Sequence, residues 1–317
     1  MVLKNIPLSR IVADTTYRYR LHEASPVLRR AIQQRGVRQP LVGFQTATGI
    51  QLTDGFLRWE LAQAFQWTEI PVTVLPDAAS AFVESVYVNH SQSPLSVVEK
   101  AHVVAIGKTI LDSAAFQEII QFLEIPTERQ VKLLLEIATY PEVARLYFHE
   151  QQFSLKQIER LRSVKVENLL PWIELARDLR MKAPEFQQVI EMVWDISVRE
   201  ECSIETCFHR LQIEQFLKPE WTVQQKVQRL KQYLFEHRYP LLHTLRKKLE
   251  QQATHLQKIS PLPLRIQWDK NLEDMGIWLQ FYLEDWDKLN VLAKLLKNPE
   301  FAKSLKQYFE IFTQTKE

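Results

Sequence analysis

The chain has 317 residues, of which 46% are hydrophobic and 25% are charged, so it can bury the cores of two or three domains and is not disordered. No apolar run approaches the roughly 18 residues of a membrane span, and the first ten residues lack the apolar stretch of a secretion signal. The two cysteines, without a disulfide framework, fit a reducing compartment. We therefore expect a cytoplasmic protein with no membrane span.

The positive charge is concentrated in two segments. Net charge is only +2, yet residues 1–45 and residues 221–260 each carry eight Lys or Arg against two Asp or Glu. Such segments indicate anionic partners. For the second segment, a solvated helix face with extended Lys and Arg side chains is an equally good interpretation.

Residues 1–95 have an α+β pattern. Leu28, Ala31 and Ile32 predict a short amphipathic helix that ends at Gly36. Strands are predicted at 41–44, at 50–53 and at the alternating Ile70, Val72 and Val74, where Pro71 indicates an edge strand. A helix to about residue 65 follows Asp54-Gly55, and Asp77 is placed to cap a helix to about residue 89.

Residues 96–257 are predicted to be helical throughout. Ser96 and Glu99 have the spacing of a capping box. Further helices are predicted near 115–123, 127–138, 141–150, 154–162, 168–180, 185–199, 204–216, 222–235 and 239–257, with prolines 126, 141, 171, 184, 219 and 240 at their junctions. Only Gly276 follows Gly107, which predicts helices with few left-handed turns.

Residues 258–317 change character. The apolar residues alternate at 264, 266 and 268 and again at 277, 279 and 281, which predicts two strands. Asp285 is placed to cap a helix with Leu289, Leu292, Ala293 and Leu296 on one face. So small a two-stranded unit is marginal alone, and a second copy is the simplest partner.

Common enzyme signatures are absent: there is no GxxxxGK[ST], GxGxxG, GxSxG or HExxH. Four residues separate Cys202 from Cys207, which matches no common zinc spacing, so buried apolar cysteines are expected and no metal site. The segment at Asp54-Gly55 remains of interest. Backbone N–H groups at the helix start favour an anion, and Arg58 lies one turn further on. An ordinary tight turn, with Arg58 paired to a nearby acid such as Glu60, is the alternative.

Residues 122–137 fit a helix-turn-helix. Its second helix presents Thr127 and Arg129 at the exposed N-terminal end, where recognition helices meet base edges. Any helical hairpin has a similar pattern.

Together, in order and spacing, these segments resemble the ParB family of partition proteins. Residues 6–11 are similar to the family's first strand, and Asp54–Arg58 is similar to its phosphate box. The family's other boxes, which are short sequence motifs, are matched by four groups of residues: Gly36, Gln39 and Pro40; Asn89, Leu95, Ser96, Glu99 and Ala101; Val131, Leu135, Ile137 and Pro141; and residues 276–289. The resemblance covers residues 1–165 and thinly 258–297, and residues 166–257 match no known pattern.

The resemblance implies a nucleotide site and a DNA interface. CTP, or another phosphate ligand bound weakly, would contact Gln39, Asp54, Gly55, Arg58 and Asn89. DNA would contact Thr127, Arg129, Gln130 and Lys132. The chain departs from the family at Phe56, Leu57, Val88 and Gln92, where charged groups that serve the triphosphate and its metal ion are replaced by neutral ones. Nucleotide turnover is therefore not expected.

The helix-turn-helix has also diverged. Ile125 stands where the family has its turn glycine, and Glu136 stands where the family has an arginine near the end of the motif. Residues 96–170 hold nine Lys or Arg against ten Asp or Glu. Phosphate contacts supply much of DNA affinity, so this module alone is expected to bind weakly.

The sequence thus predicts a mainly helical α+β chain in four parts. They are a ParB-like domain (1–95), a helix-turn-helix domain (96–165), a helical domain (166–257) and a strand–helix dimerisation module (258–317). The predicted function is DNA binding, in partition at the nucleoid or in transcriptional regulation, by a homodimer with a degenerate nucleotide site. A partition ATPase is a possible further partner. A non-catalytic scaffold and a ParB-type nuclease or nucleotide hydrolase are the alternatives.

Overall fold

A computed structural model describes residues 2–21, 24–218, 220–269, 274 and 276–313. The chain is mixed α+β with helices predominating, as predicted, and it forms two compact units. The N-terminal unit comprises residues 1–190 and 202–213, and the C-terminal unit comprises residues 191–201 and 214–317. No helix in the described ranges combines the length and hydropathy needed to cross a membrane.

The N-terminal unit begins with a five-stranded sheet in the order β1-β5-β3-β4-β2. The strands are β1 (Val2–Pro7), β2 (Ile11–Val12), β3 (Leu41–Gln45), β4 (Ile50–Asp54) and β5 (Glu69–Leu75). Three helices alternate with them: α1 (Pro26–Arg35), α2 (Phe56–Ala64) and α3 (Ala78–Gln92). Residues 6–11, predicted as one strand, instead contain the end of β1, a 3-10 turn at Leu8–Arg10 and the start of β2.

The prediction that Pro71 marks an edge strand is wrong. Its strand, β5, lies between β1, with which it pairs antiparallel, and β3, with which it pairs parallel. Asn5 of β1 lies opposite Pro71. The pairing joins segments more than 60 residues apart in the sequence, so a local pattern could not reveal it.

Beyond the sheet the chain is helical to residue 259. The first eight of these helices are α4 (Val97–Ile110), α5 (Ser113–Phe122), α6 (Glu128–Ala138), α7 (Glu142–Glu150), α8 (Leu155–Leu161), α9 (Val166–Asp178), α10 (Ala183–Arg199) and α11 (Ile204–Arg210). A 3-10 helix at Ile213–Leu217 follows. The helix predicted for 204–216 is therefore two, because Gln212 adopts a left-handed conformation with φ 48°. Pro171, predicted at a junction, lies inside α9, and Pro219 lies outside the described residues.

The low glycine content does not exclude left-handed turns, contrary to the prediction. After Gly107, positive φ angles occur at Glu124, Gln152, Arg180, Glu201 and Gln212. Several of these turns are followed by a buried apolar residue whose N–H bonds back across the helix end, as Ile125 does to the Ile120 carbonyl. These bonds and the apolar contact are those of a Schellman motif. They offset the roughly 1 kcal/mol cost of a left-handed non-glycine residue.

The C-terminal unit contains the remaining elements. They are α12 (Val223–Arg238), α13 (Pro240–Ile259), β6 (Leu264–Trp268), β7 (Ile277–Phe281), α14 (Trp286–Leu296) and α15 (Pro299–Thr313). The predicted strands pair as an antiparallel hairpin in the register Ile266 to Leu279. Leu249 and Leu256 of α13, Ile266, Leu295 and Tyr308 belong to one buried cluster. The hairpin therefore shares its core with α13, and not only with residues beyond 258.

A buried carboxylate links the N-terminal segment to the helical region. Glu99, in the first turn of α4, has 0% exposure. Its oxygens accept from the backbone N–H of Ser96 at 2.9 Å and of Leu21 at 3.2 Å, and from the Arg20 guanidinium at 3.3 Å. The predicted capping box of Ser96 and Glu99 is confirmed. Glu99 therefore serves three partners, two of them some 79 residues away in the sequence.

We expect Glu99→Ala to lower the free energy of unfolding by about 3 kcal/mol, because it leaves buried donors without an acceptor. Glu174→Ala, at an exposed position inside α9, is the matched control and should change stability by less than about 0.5 kcal/mol. Urea unfolding of both variants measures the difference. Equal stability of the two variants would contradict a linking role for Glu99.

Candidate functional site

The turn between β4 and α2 is held open by a glycine. Gly55 caps α2 in the left-handed region with φ 92°. A Cβ atom at this position would lie 2.7 Å from the Leu41 Cγ atom and 3.2 Å from the Arg58 Nη2 atom. Only glycine combines this backbone conformation with such close neighbours. The turn brings Asp54, the last residue of β4, beside the first turn of α2.

A cavity of about 280 Å³ lies at this turn. Its lining includes every residue predicted for the nucleotide site: Gln39, Asp54, Gly55, Arg58 and Asn89. These residues come from three separate parts of the sequence, and the structure brings them together. Leu28, Phe56 and Leu57 add an apolar wall. Binding of a ligand by these residues stays a prediction.

Sequence reasoning missed two arginines of this cavity. Arg18 and Arg20 also line it, with Gln92 and Ser93. Arg20 donates to the backbone carbonyls of Asn89 at 2.7 Å and Ser93 at 2.6 Å, at the end of α3. The basic character of residues 1–45 was the available signal, but no local pattern indicates that these two arginines reach α2 and α3.

All three arginines of the cavity contact acids. Arg58 bonds the Asp54 carboxylate at 2.7 Å and the Gln39 carbonyl at 3.1 Å. Arg18 bonds Glu60 at 2.6 Å, and Arg20 contacts Glu99. Arg58 is therefore paired with a nearby acid, as that alternative has it, but the acid is Asp54 and not Glu60. Asp54, which ends the preceding strand, lies four residues before Arg58, and Glu60 is engaged by Arg18.

The side chain of Asn89 is held by hydrogen bonds to Tyr19 and Ser85. Its amide donates to the Tyr19 hydroxyl at 3.0 Å and to the Ser85 carbonyl at 2.9 Å. Burial, and to a lesser extent the nearby Asp54 charge, raises the pKa of Tyr19 well above its usual value. The hydroxyl is thus neutral at physiological pH, and it donates to Ser85 Oγ at 3.4 Å.

The cavity does not fit a magnesium-bound triphosphate. Such a ligand needs available cations and carboxylates for the metal. Asp54 is the only carboxylate among the lining residues, and it is occupied by Arg58. The volume also lies just below the ~300–1,000 Å³ usual for ligand sites. A smaller phosphate-bearing group is compatible with the helix N-terminus and the nearby arginines.

The predicted helix-turn-helix consists of α5 and α6, and α6 packs on α4. Thr127 caps α6 by accepting from the Gln130 N–H at 3.3 Å. The left-handed residue of the turn is Glu124, with φ 56°, and not Ile125, which the family's glycine aligns with. Ile125 is buried in the turn, so the residue before it carries the unusual backbone angle.

The exposed face of α6 has little free positive charge. Arg129 pairs with Glu159 at 2.6 Å, and Lys132 pairs with Glu128 one turn earlier at 2.9 Å. Gln130 is half-buried, and its Oε1 atom has no hydrogen-bond partner among the described residues. Thr127, Arg129 and Lys132 are exposed. The four residues predicted to contact DNA therefore lie on one helix, but its basic side chains are paired with acids.

The two cysteines lie together at the start of α11. Their sulfur atoms are 3.1 Å apart, with Cys207 buried and Cys202 half-buried rather than fully buried as expected. In the part of the chain that the structure describes, no group of three or more His, Cys, Asp or Glu residues is placed to hold a metal ion.

Comparison with known proteins gives the following. No family model matches the sequence, and no curated protein matches it. A C-terminally truncated chromosome-partitioning protein ParB from Caulobacter crescentus, solved with CTP-gamma-S, is 18% identical, with 55% of this chain and 99% of that chain covered and a TM-score of 0.26. A Pnob8-like ParB-N domain is 15% identical, with 58% and 86% covered and a TM-score of 0.35. The function proposed below therefore rests on the residues and geometry of this chain.

Two glycines test the role of the turn at the cavity. Gly36 and Gly55 both have positive φ, but a Cβ atom at Gly36 would meet nothing within 4 Å. Gly36, with φ 71° and ψ −176°, lies in a region that only glycine adopts readily, so we expect Gly36→Ala to cost about 1–3 kcal/mol from backbone strain alone. Gly55→Ala should cost about 1 kcal/mol from its left-handed backbone and a further ~1–3 kcal/mol because the methyl group overlaps Leu41.

Chemical denaturation of the two variants measures these costs. If Gly55→Ala costs no more than the ~1 kcal/mol expected from backbone strain, the close packing around Gly55 is not a constraint on the cavity.

Proposed function

We propose that this chain is a ParB-like DNA-binding protein whose N-terminal cavity binds a small phosphate-bearing ligand without hydrolysing it. The observation that supports the proposal is the convergence of Gln39, the Asp54–Arg58 turn and Asn89 on one cavity. These residues belong to the separate boxes on which the ParB resemblance depends. Arg18 and Arg20 add two cations that the sequence did not indicate.

The charge balance of the cavity favours binding over turnover. Hydrolysis needs groups that stabilise charge developing in the transition state. Phe56 and Leu57 supply none, and Asp54 is held by Arg58 at 2.7 Å. A bound phosphate can still use the N–H groups at the start of α2 and share the guanidinium of Arg58 with Asp54. Affinity is therefore low, since the ligand competes with an existing ion pair.

We expect calorimetric titration with inorganic phosphate, CTP and ATP to give weak binding, on the order of 1 mM, and no phosphate release from either nucleotide. Arg58→Gln should abolish the binding. Arg30→Gln, an exposed arginine of α1 outside the cavity lining, is the matched control and should leave it unchanged. Phosphate release from CTP that disappears in Arg58→Gln would contradict the proposal.

A second candidate function is a scaffold that has kept the fold but no longer binds the ligand. It is favoured by one observation: Arg18, Arg20 and Arg58 all already contact carboxylates within the protein. The same calorimetry separates the two candidates. Absence of heat with all three ligands, while DNA binding persists, would favour a DNA-binding scaffold.

DNA binding is proposed to involve the exposed start of α6. Thr127, Arg129, Gln130 and Lys132 lie there, with Gln130 half-buried. Because Glu159 and Glu128 neutralise the two cations, this helix contributes little net positive potential. We therefore infer that α6 positions the protein on DNA and does not supply most of the affinity. Partition with a partner ATPase at the nucleoid, or transcriptional regulation, is the proposed setting.

We expect duplex DNA binding to weaken as salt rises, because bound phosphates release counterions. Replacing Arg129 and Lys132 by Gln should reduce the slope of log affinity against log salt by about 0.9 for each DNA phosphate that the variant no longer neutralises. Lys108→Gln with Lys182→Gln, at exposed positions outside α6, is the charge-matched control.

Electrophoretic shifts over a salt series measure the slopes. An affinity that does not change with salt would contradict DNA binding through phosphate contacts. Salt-dependent binding that the α6 variant leaves intact would contradict only the role of α6.

We further propose that the C-terminal unit forms a homodimer. The aromatic side chains Trp278, Tyr282 and Trp286 are 71%, 64% and 78% exposed, and Leu289 and Leu296 of α14 are also exposed. The buried side of α14 uses Leu295 instead. An apolar surface of this kind on a two-stranded unit is typical of an interface, and a second copy offers the same surface by two-fold symmetry.

The double variant Leu289→Glu, Leu296→Glu should be monomeric, because it places charges in the apolar interface. Leu241→Glu, at an 80% exposed apolar position outside this surface, is the control and should keep the wild-type mass. Sedimentation equilibrium of the full-length wild-type chain and of both variants measures their masses in solution. A wild-type chain that is already monomeric at micromolar concentration would contradict the dimer.

A further inference from the structure

The most basic surface of the C-terminal unit is formed by α12 and α13. Together they carry eight Lys or Arg against two acids, Glu236 and Glu250. Five of the cations already contact neighbouring groups: Lys226, Arg229, Lys231, Arg238 and Arg246. Lys247, Lys248 and Lys258 are exposed and have no salt-bridge or hydrogen-bond partner within the described residues. These three are available to an external anion.

The three lysines share one face of α13. Thr244, Lys248, Gln251, His255 and Lys258 follow each other at intervals of three and four residues, and all are exposed. Residues at this spacing lie above one another on a helix. Lys247 borders the row. The rise of a helix separates Lys247 from Lys258 by about 16 Å. We call these six residues the α13 basic face.

No acid interrupts the α13 basic face. Glu250 is the only acid of α13, and a rotation of 100° per residue places it beside the face, about 60° around the axis from Lys247 and 80° from Lys258. The side chains of the face are three lysines, the hydrogen-bond donors Thr244 and Gln251, and His255, whose ring also donates. This contrasts with α6, where Arg129 and Lys132 are both paired with glutamates.

The opposite side of α13 is not available to a membrane. Leu249, Ala253 and Leu256 are buried against β6 and α15 in the core of the unit. An amphipathic helix binds lipid by inserting its apolar face, and here that face is already packed. The six residues of the α13 basic face include no Phe, Tyr, Trp or large aliphatic side chain, and the exposed Leu241 lies one turn before Thr244, at the end of the row. The face is therefore suited to a partner recognised mainly by charge.

We propose that the α13 basic face binds the sugar–phosphate backbone of double-stranded DNA, independently of sequence. A duplex carries one negative charge per about 1.7 Å of its axis, which favours rows of unpaired cations. The only ring on the face is the imidazole of His255, so the face lacks the succession of platforms on which unpaired bases stack. The inference rests on the proposed DNA binding, and it assigns to α13 the phosphate contacts that the paired side chains of α6 do not provide.

The test uses the full chain with Lys247, Lys248 and Lys258 all replaced by Gln. The charge-matched control replaces Lys294, Lys297 and Lys303, which are exposed on α14, its end and α15. Binding of a random-sequence duplex is measured over a salt series, alongside a single strand of equal length and vesicles with and without anionic lipid. Circular dichroism and sedimentation verify that both variants keep the wild-type fold and mass.

We expect the salt slope of the α13 variant to fall by up to about 2.7, which is 0.9 for each of three phosphate contacts, and the slope of the control to stay unchanged. Equal slopes for the variant and the control would overturn the inference and leave the proposed DNA binding intact. Loss of binding to anionic vesicles alone, with duplex binding unchanged, would overturn it in favour of a membrane surface. A wild-type chain that binds no duplex at low salt would overturn both proposals.

Discussion

The N-terminal unit depends on a buried carboxylate that joins its own helix to a segment some 79 residues earlier in the chain. Glu99 caps its own helix through Ser96 and accepts from Arg20 and from the Leu21 backbone. Because a buried carboxylate is costly unless all its neighbours donate to it, Glu99 holds the segment around residue 20 in one position. That segment carries Arg18 and Arg20, so the same interaction determines two walls of the candidate site. Fold and site are therefore linked through one acid.

Charge compensation differs between regions of the chain. In the cavity and on α6, basic side chains are paired with carboxylates at 2.6 to 3.3 Å. On α13, three exposed lysines have no such partner among the described residues. An ion pair on the surface contributes little to stability, but it reduces the potential that an approaching anion experiences. The position of unpaired cations is thus a better indicator of a nucleic-acid surface than the number of basic residues.

The ParB resemblance and the geometry agree on the position of the cavity and differ on its chemistry. Residues from three matched boxes meet at Gly55, where a strand enters a helix. The groups that would serve a triphosphate and its metal are absent from the lining that the structure describes, and Arg58 is held by Asp54. Gly55 keeps the turn open, but the guanidinium of Arg58 is already bonded to Asp54. Such a cavity suits a weak ligand or none, and the two proposed functions differ only on whether a ligand binds.

Local signals in the sequence determined most of the secondary structure. Asp77, Ser96 and Asp285 cap the helices predicted to begin after them, because a side chain three residues before a free N–H is enough to satisfy it. The two strands of the C-terminal hairpin and the grouping of Gln39, Gly55, Arg58 and Asn89 as one candidate set were also predicted.

What the sequence left open are interactions between distant residues. The position of β5 inside the sheet depends on β1. The ion pair of Arg18 with Glu60 joins residues 42 apart in the sequence. At some helix ends a residue such as Glu124 or Gln152 adopts a left-handed conformation. Burial of the apolar residue that follows offsets the backbone strain, which a glycine would have avoided. For the left-handed helix ends the local cost is about 1 kcal/mol. Tertiary packing is therefore large enough to offset it, whereas the caps and the alternating strands were determined by the sequence itself.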